Sequence, residues 1–253
     1  MDVLLAKPWA GQDPTGWWMS EKLDGVRAVW HGGAFYSRNG NVFHCPEWYR
    51  RFLPNVSIDG ELFIGRGKFQ DTVSIVRSHE DKGWGRVLFH AFDLYPSTAN
   101  VEEATFERRQ RALAGITTKP IVHVPQVKCE GAAHLTAFVD KVLAAGGEGA
   151  MLREPASYYE KKRSATLLKV KRFHDLEARV TGHVPGKGKH LGRLGALSCL
   201  APNGAAFEVG TGFTDAERHE PPAVGASVTV RFQELTKDGV PRFPVYVAVR
   251  DYE

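Results

Sequence analysis

The chain has 253 residues, 43% of them hydrophobic and 25% charged, the composition of an ordinary soluble protein with room for two domains. A formal net charge of +4 favours polyanionic partners without selecting one. Cys45, Cys129 and Cys199 lie far apart with no C-x-x-C pair, so neither a disulfide framework nor a zinc ribbon is indicated, and no apolar run approaches the roughly 20 residues needed to span a bilayer.

In chain order, residues 26–30, 34–37, 57–64, 86–95 and 167–171 read as strands bounded by Gly, Pro or Asn, and predict a mixed α+β domain built on antiparallel sheets. Two helices interrupt them. Residues 101–114 are charged and expected to face solvent on their Glu and Arg side. Between Gly131 and Gly146, Leu135, Phe138, Val139, Val142 and Leu143 recur at helical spacing, and Gly146-Gly147 supplies a stop, so this stripe is core. After Phe173 five short strand-like runs follow, at 176–183, 193–200, 205–209, 227–233 and 245–250, separated by Gly/Pro-rich turns. They predict a small β-barrel of the OB type and a division into domains 1–173 and 174–253. From Asp175 onward there are 9 Lys/Arg against 10 Asp/Glu, and 24 against 19 before it, so the basic surplus lies in the first domain.

The run Glu21-Lys22-Leu23-Asp24-Gly25-Val26-Arg27 sets a lysine in a turn entering a strand, with an acid, a glycine and an arginine at fixed offsets. The two-residue strand period would place Lys22 and Asp24 on one face, and Gly25 permits close backbone approach. A lysine nucleophile must lose its proton, which is rare at neutral pH for an amine of pKa about 10.4. Neighbouring cations and partial burial would be needed to promote that loss. Taken alone, the run is equally a surface lysine beside a turn.

Its companions follow in order: Ser37-Arg38-Asn39-Gly40, Asp59-Gly60-Glu61-Leu62, Phe92-Asp93-Leu94-Tyr95, Gly147-Glu148-Gly149-Ala150-Met151-Leu152-Arg153 and Leu168-Lys169-Val170-Lys171. This succession resembles the covalent nucleotidyltransferase superfamily, and within it the minimal ATP-dependent DNA ligases of small bacterial type, over nearly the whole chain. The resemblance implies an adenylation domain followed by an OB barrel, with Lys22 as the nucleophile that takes AMP from ATP. It implies nucleotide contacts from Glu21, Arg27, Glu61, Phe92, Met151, Lys169 and Lys171, and a metal, Mg²⁺ or Mn²⁺, on Glu148 and Asp24. Physically, Phe92 offers a flat face for a purine and Met151 could close the other side. A carboxylate at Glu61 can accept ribose hydroxyls. Magnesium needs only one or two carboxylates beside phosphate oxygens. Arg38 resembles the arginine that holds a nick's 5′-phosphate, a task suited to the guanidinium fork.

At the C-terminus, Pro241-Arg242-Phe243-Pro244 and Arg250-Asp251-Tyr252 resemble the family's barrel motif, which implies phosphate contacts from Arg242 and Arg250. Tyr252 stands where many relatives carry a lysine. Gly186-Lys187-Gly188-Lys189 does not fit a P-loop, and together with Arg193 reads as a basic turn touching DNA backbone. The expected partner is nicked duplex DNA, bound by a monomer, with further basic surface at Arg50, Arg51, Lys68, Arg77, Lys161, Lys162 and Arg163. The interval 210–225, with Pro221-Pro222, contains no alternating apolar run able to form an extra clamping hairpin. A capping guanylyltransferase, an RNA ligase and a non-enzymatic OB module are the alternatives. Residues 1–9 carry no leader pattern, so the chain as it stands is expected in the cytoplasm, or in the periplasm if an export leader preceded it.

Overall fold

A computed structural model describes residues 1–116 and 118–250 of the chain. They fall into two compact units, Met1–Lys171 and Arg172–Glu253.

The first unit holds two sheets. A six-stranded sheet runs in the order Val42–Phe43, Ala34–Ser37, Val26–His31, Ile58–Phe63, Leu88–Leu94, Ile121–His123. Along Val26–His31 the strand period sends Ala28 and Trp30 into a core with Phe35, Leu62 and Phe89, and leaves Arg27 on the opposite face. The centre of this core is aromatic: Phe35 and Phe89 meet edge to face at 4.8 Å, Tyr49 and Trp84 at 5.0 Å. Each such pair adds about 0.5–1.5 kcal/mol beyond the area it buries.

The second sheet has five strands, in the order Leu5–Pro8, Arg163–Val170, Ala150–Arg153, Trp18–Glu21, Val127–Lys128. Helix Ala132–Ala144 lays Leu135 and Val139 against Met19, Ala150, Leu152 and Leu168 on one face of this sheet, as the apolar stripe predicted. Pairing is antiparallel in both sheets except Leu5–Pro8 with Arg163–Val170 and Leu88–Leu94 with Ile121–His123, which are parallel.

The charged segment expected as one helix is two, Ala99–Glu102 and Phe106–Ala114. The break falls at Thr105, whose side chain accepts from the Arg108 backbone N–H and caps the second helix. Nor is its arginine face wholly solvated. Arg109 is buried, with Nε and Nη2 donating to the two Asp93 oxygens at 2.7 and 3.0 Å. Removing one partner of such a buried pair typically costs about 3–5 kcal/mol, because the other charge is left stranded. Strand Trp18–Glu21 and helix Phe69–Arg77 were not anticipated: the strand is four residues long, and only Thr72 and Val76 of the helix are buried.

The second unit holds a five-stranded antiparallel sheet in the order Ala206–Val209, Leu194–Leu200, His174–Pro185, Ser227–Phe232, Val245–Val249, and a two-stranded one, Glu234–Leu235 with Pro241–Arg242. The 12-residue strand His174–Pro185 pairs with Ser227–Phe232 through its first half and with Leu194–Leu200 through its second. A register shift at Val180/Gly182 falls just past the change of partner at Arg179, and a second, Val184/Pro185, falls at the strand's end. Val180, Leu197, Cys199, Val209, Val228, Val230 and Tyr246 fill the interior. Interval 210–225 holds the short helix Asp215–His219, closed by a Thr214/Glu217 capping box, and no strand. All three cysteines are buried free thiols. No helix among the described residues is long and apolar enough to cross a membrane.

Candidate active site

The two sheets of the first unit turn chemically rich faces toward a shared cavity of about 330 Å³. On the five-stranded sheet, Met151 sits opposite Ser20 on one neighbour and Lys169 on the other, and all three line the cavity. Ala150 and Leu152, one step out of phase, go to the helix side. On the six-stranded sheet Arg27 is paired in register with Glu61, and both line the cavity with Asp59.

Phe92 reaches the same space through an irregularity. Strand Leu88–Leu94 shifts register where Asp59 pairs with Asp93 but Gly60 pairs with Ala91, so Phe92 is the extra residue of a bulge. Without the shift Phe92 and Asp93 would take opposite faces; with it both line the cavity. Phe92 then lies under the Arg27 guanidinium, 5.4 Å from carbon to ring centre.

Lys22 stands one residue past the end of strand Trp18–Glu21, so residues 22–25 are loop and the strand-face argument linking it to Asp24 does not apply. Its backbone N–H donates to the Gly149 carbonyl at 2.9 Å. Gly25 is required here: a Cβ on it would lie 2.5 Å from the Leu62 carbonyl oxygen. The Lys22 ammonium is ion-paired with Oε2 of Glu148, while Lys171 takes Oε1. Burial raises the Glu148 pKa, but Lys22 and Lys171 outweigh it and hold the carboxyl below its ordinary value. The nucleophile candidate thus has an acid between it and its expected cationic neighbour. Lys169 is shifted downward by burial, then by the charges of Lys171 and Lys22. Asp24 is half-buried in the loop and does not line the cavity.

Arg27 is fixed from two sides: Nε and Nη2 bond the Asp59 oxygens at 3.0 and 2.6 Å, and Nη1 donates to the Leu4 carbonyl at 2.7 Å. Burial disfavours its charge, and Asp59 more than restores it. Beside it, burial pushes the Glu61 carboxyl up to about 8 against the pull of Lys22 and Arg27. Arg38 is exposed in the turn after strand Ala34–Ser37 and lines the same cavity. The Glu21 carboxylate is held by Arg66 at 2.8 and 2.7 Å.

Several cavity residues carry no sequence expectation. Ser20 and Asp59 sit beside and inside quoted motifs; alternation along strand Ile58–Phe63 was the signal that could have found Asp59 with Glu61. Arg153 ends the Gly147 motif; it is buried, lines the cavity, and its Nε and Nη1 have no hydrogen-bond partner among the described residues. Tyr159, whose hydroxyl donates to Asp59, and Arg163, foreseen only as basic surface, also line it. Nothing in the local sequence points to Tyr159.

In the second unit, Lys187 and Lys189 are exposed about the turn Gly188–His190. Arg193 instead secures that turn, donating to Asp215 at 2.7 Å and to the Lys189 carbonyl at 3.2 Å. Arg242 lies over the Phe243 ring at 5.3 Å, and Arg250 pairs with Glu177 at 2.8 Å. Asp251 and Tyr252 fall outside the described residues.

Residues 9–171 match the family model of an ATP dependent DNA ligase domain, and residues 185–250 that of a DNA ligase OB-like domain. The chain is 34% identical over 248 residues to a DNA ligase of Haemophilus influenzae, covering 97% of this chain and 91% of that protein. It is 28% identical over 260 residues to a DNA ligase of Archaeoglobus fulgidus, of which it spans 47%. Among solved structures, one from work on Lig E DNA ligases superposes with a TM-score of 0.89 at 39% identity over 99% of both chains. A Chlorella virus DNA ligase-adenylate superposes with a TM-score of 0.59 at 25% identity, again over 99% of each.

Proposed function

The chain belongs to the ATP-dependent DNA ligases, and from that premise we propose that it seals 5′-phosphate/3′-hydroxyl nicks in duplex DNA through an AMP adduct on Lys22. Its use of ATP and its action on DNA follow from the family. Guanylyltransferase, RNA ligase and binding-module readings are not favoured, since both domain models and the relatives are those of DNA ligases.

One observation carries the residue assignment: a single cavity collects Lys22, Glu61, Phe92, Met151 and Lys169, drawn from two sheets and from positions as far apart as 22 and 169. Phe92 and Met151 supply apolar faces for adenine, and Glu61 stands where a ribose hydroxyl can bond. Lys22 attacks the α-phosphorus and pyrophosphate leaves; Lys169, Lys171 and Arg27 offset the charge that gathers on the phosphate. AMP then passes to a 5′-phosphate held by Arg38, and the 3′-hydroxyl displaces it. To attack, the Lys22 nitrogen must leave Glu148 and lose a proton.

Among the described residues no group of three or more His, Cys, Asp or Glu side chains is placed to hold a metal ion. That donor set still fits Mg²⁺ or Mn²⁺ carried with ATP, because one carboxylate and the phosphate oxygens suffice, and Glu148 would be the carboxylate. Such an ion would neutralise phosphate charge during transfer. We assign no such role to Asp24.

Lys187 and Lys189 supply backbone contacts to nicked duplex, and the protein acts as a monomer. Incubation with labelled ATP or GTP followed by denaturing electrophoresis tests the reading. A protein-bound label from ATP alone supports it; a label from GTP alone would overturn it.

A further inference from the structure

Arg66 belongs to none of the motifs, yet it joins the two sheets beside the nucleophile. It lies in the loop between strand Ile58–Phe63 and helix Phe69–Arg77, on the side of the six-stranded sheet. Its Nε and Nη2 donate to the two oxygens of Glu21 at 2.8 and 2.7 Å, and Nη1 donates at 3.2 Å to the carbonyl of Ala145, which closes helix Ala132–Ala144. All three acceptors belong to the five-stranded sheet and its helix.

Glu21 is confined on its other side as well. It is the last residue of strand Trp18–Glu21, on the face of Met19, and at the strand's end it lines the cavity with Ser20 and Lys22, which Arg66 does not. The carboxylate rests against Gly147: a Cβ there would lie 2.8 Å from Glu21 Oε1 and 2.5 Å from a methyl of Val142. Whatever Arg66 does for the cavity therefore passes through Glu21 and one peptide bond to Lys22.

We propose that Arg66 is a positioning residue for the adenylation step: by gripping Glu21 at both oxygens it pins the end of the strand that carries Lys22 to the opposite sheet. This rests on the reading of Lys22 as the nucleophile. A two-bond guanidinium–carboxylate contact fixes orientation as well as distance. A partly exposed pair contributes little to global stability, so its loss registers in the reaction more than in the fold. Small displacements matter there, since a shift of about 1 Å at a reacting group can cost on the order of a hundredfold in rate.

The test measures single-turnover formation of protein-bound AMP across ATP concentrations, normalised to active sites, alongside melting temperature. Variants are Arg66→Ala, Arg66→Lys, Glu21→Ala and the double Arg66→Ala/Glu21→Ala, with Lys22→Ala as the control. Arg66→Ala is expected to lower the maximal rate about tenfold, with a smaller change in half-saturating ATP. Arg66→Lys should recover part of the rate, and the double variant should be no slower than the slower single variant, because both remove the same contact. An unchanged rate in Arg66→Ala, additive losses in the double variant, or a rate loss matched by a fall in melting temperature overturns the proposal. If Lys22→Ala still forms the adduct, it is the assignment of the nucleophile that fails, which separates the two outcomes.

Discussion

The ammonium of Lys22 is hydrogen-bonded to Oε2 of Glu148, a residue 126 positions further along the chain, and the other carboxylate oxygen is taken by Lys171. Two cations share one anion, and of the three side chains only Lys22 lines the cavity. On the proposed assignment, the phosphate oxygens of ATP would replace Glu148 as the partner of Lys22 before the amine reacts.

Replacing Lys22 by alanine should abolish the covalent AMP adduct and the sealing of an ordinary 5′-phosphate nick, because no other group forms the phosphoamide. Some sealing of a pre-adenylated nick should survive, since the nucleophilic role is over by then. Electrophoresis of the labelled protein decides it: accumulation of bound AMP on the variant rules the assignment out.

Arg38 lines the cavity from an exposed turn, where a guanidinium can meet a phosphate arriving with DNA. Arg38→Ala should spare adenylation of Lys22 and depress sealing, by about tenfold or more if a charge-assisted bond to the nick phosphate is lost. Measuring both steps on one preparation checks this, and equal losses would remove the role.

Burial pushes the Glu61 carboxyl up from 4.5, the value of an unperturbed carboxyl, to about 8. Between those values the folded state keeps a proton that the unfolded chain has released, so rising pH favours unfolding. Relative to Glu61→Gln, the wild-type protein should lose stability as pH climbs from 4.5 to about 8 and then level off. Melting temperatures of both proteins across that range provide the comparison; a difference independent of pH would contradict the burial of Glu61.

Lys187 and Lys189 project from a turn whose shape is maintained by Arg193. If binding to a nick rests on such basic surface rather than on a clamp, affinity should fall steeply with salt, with a slope near −0.9 per phosphate neutralised. Lys187→Ala should flatten that slope by about one unit while leaving self-adenylation intact. A titration in which nick affinity barely changes between low and moderate salt would refute electrostatic engagement.

How much was legible can be seen element by element. The strands carrying Arg27, Glu61 and Phe92 were readable as short strand-like runs bounded by Gly, Pro or Asn, and helix Ala132–Ala144 because its stripe repeats at helical spacing. Strand Trp18–Glu21, with Ser20 and Glu21 among its four residues, has no such signature and becomes a strand by pairing with Ala150–Arg153 and Val127–Lys128. Arg109 looked like solvent-facing charge because helical spacing cannot reveal Asp93 on a neighbouring strand.

The order and chemistry of the motifs, Lys22 followed by Arg38, Glu61, Phe92, Glu148 and Lys169, were determined by sequence alone, since residue type and local period are local properties. Which of them share a cavity, which charge answers which, and how far burial moves a carboxyl such as Glu61 were decided by the tertiary structure. Coulomb energy and desolvation depend on distances across space: the bulge at Phe92 and the Glu148 bridge between two lysines exist only once strands distant in sequence pair within a sheet, and the grip of Arg66 on Glu21 only once the two sheets are packed against each other.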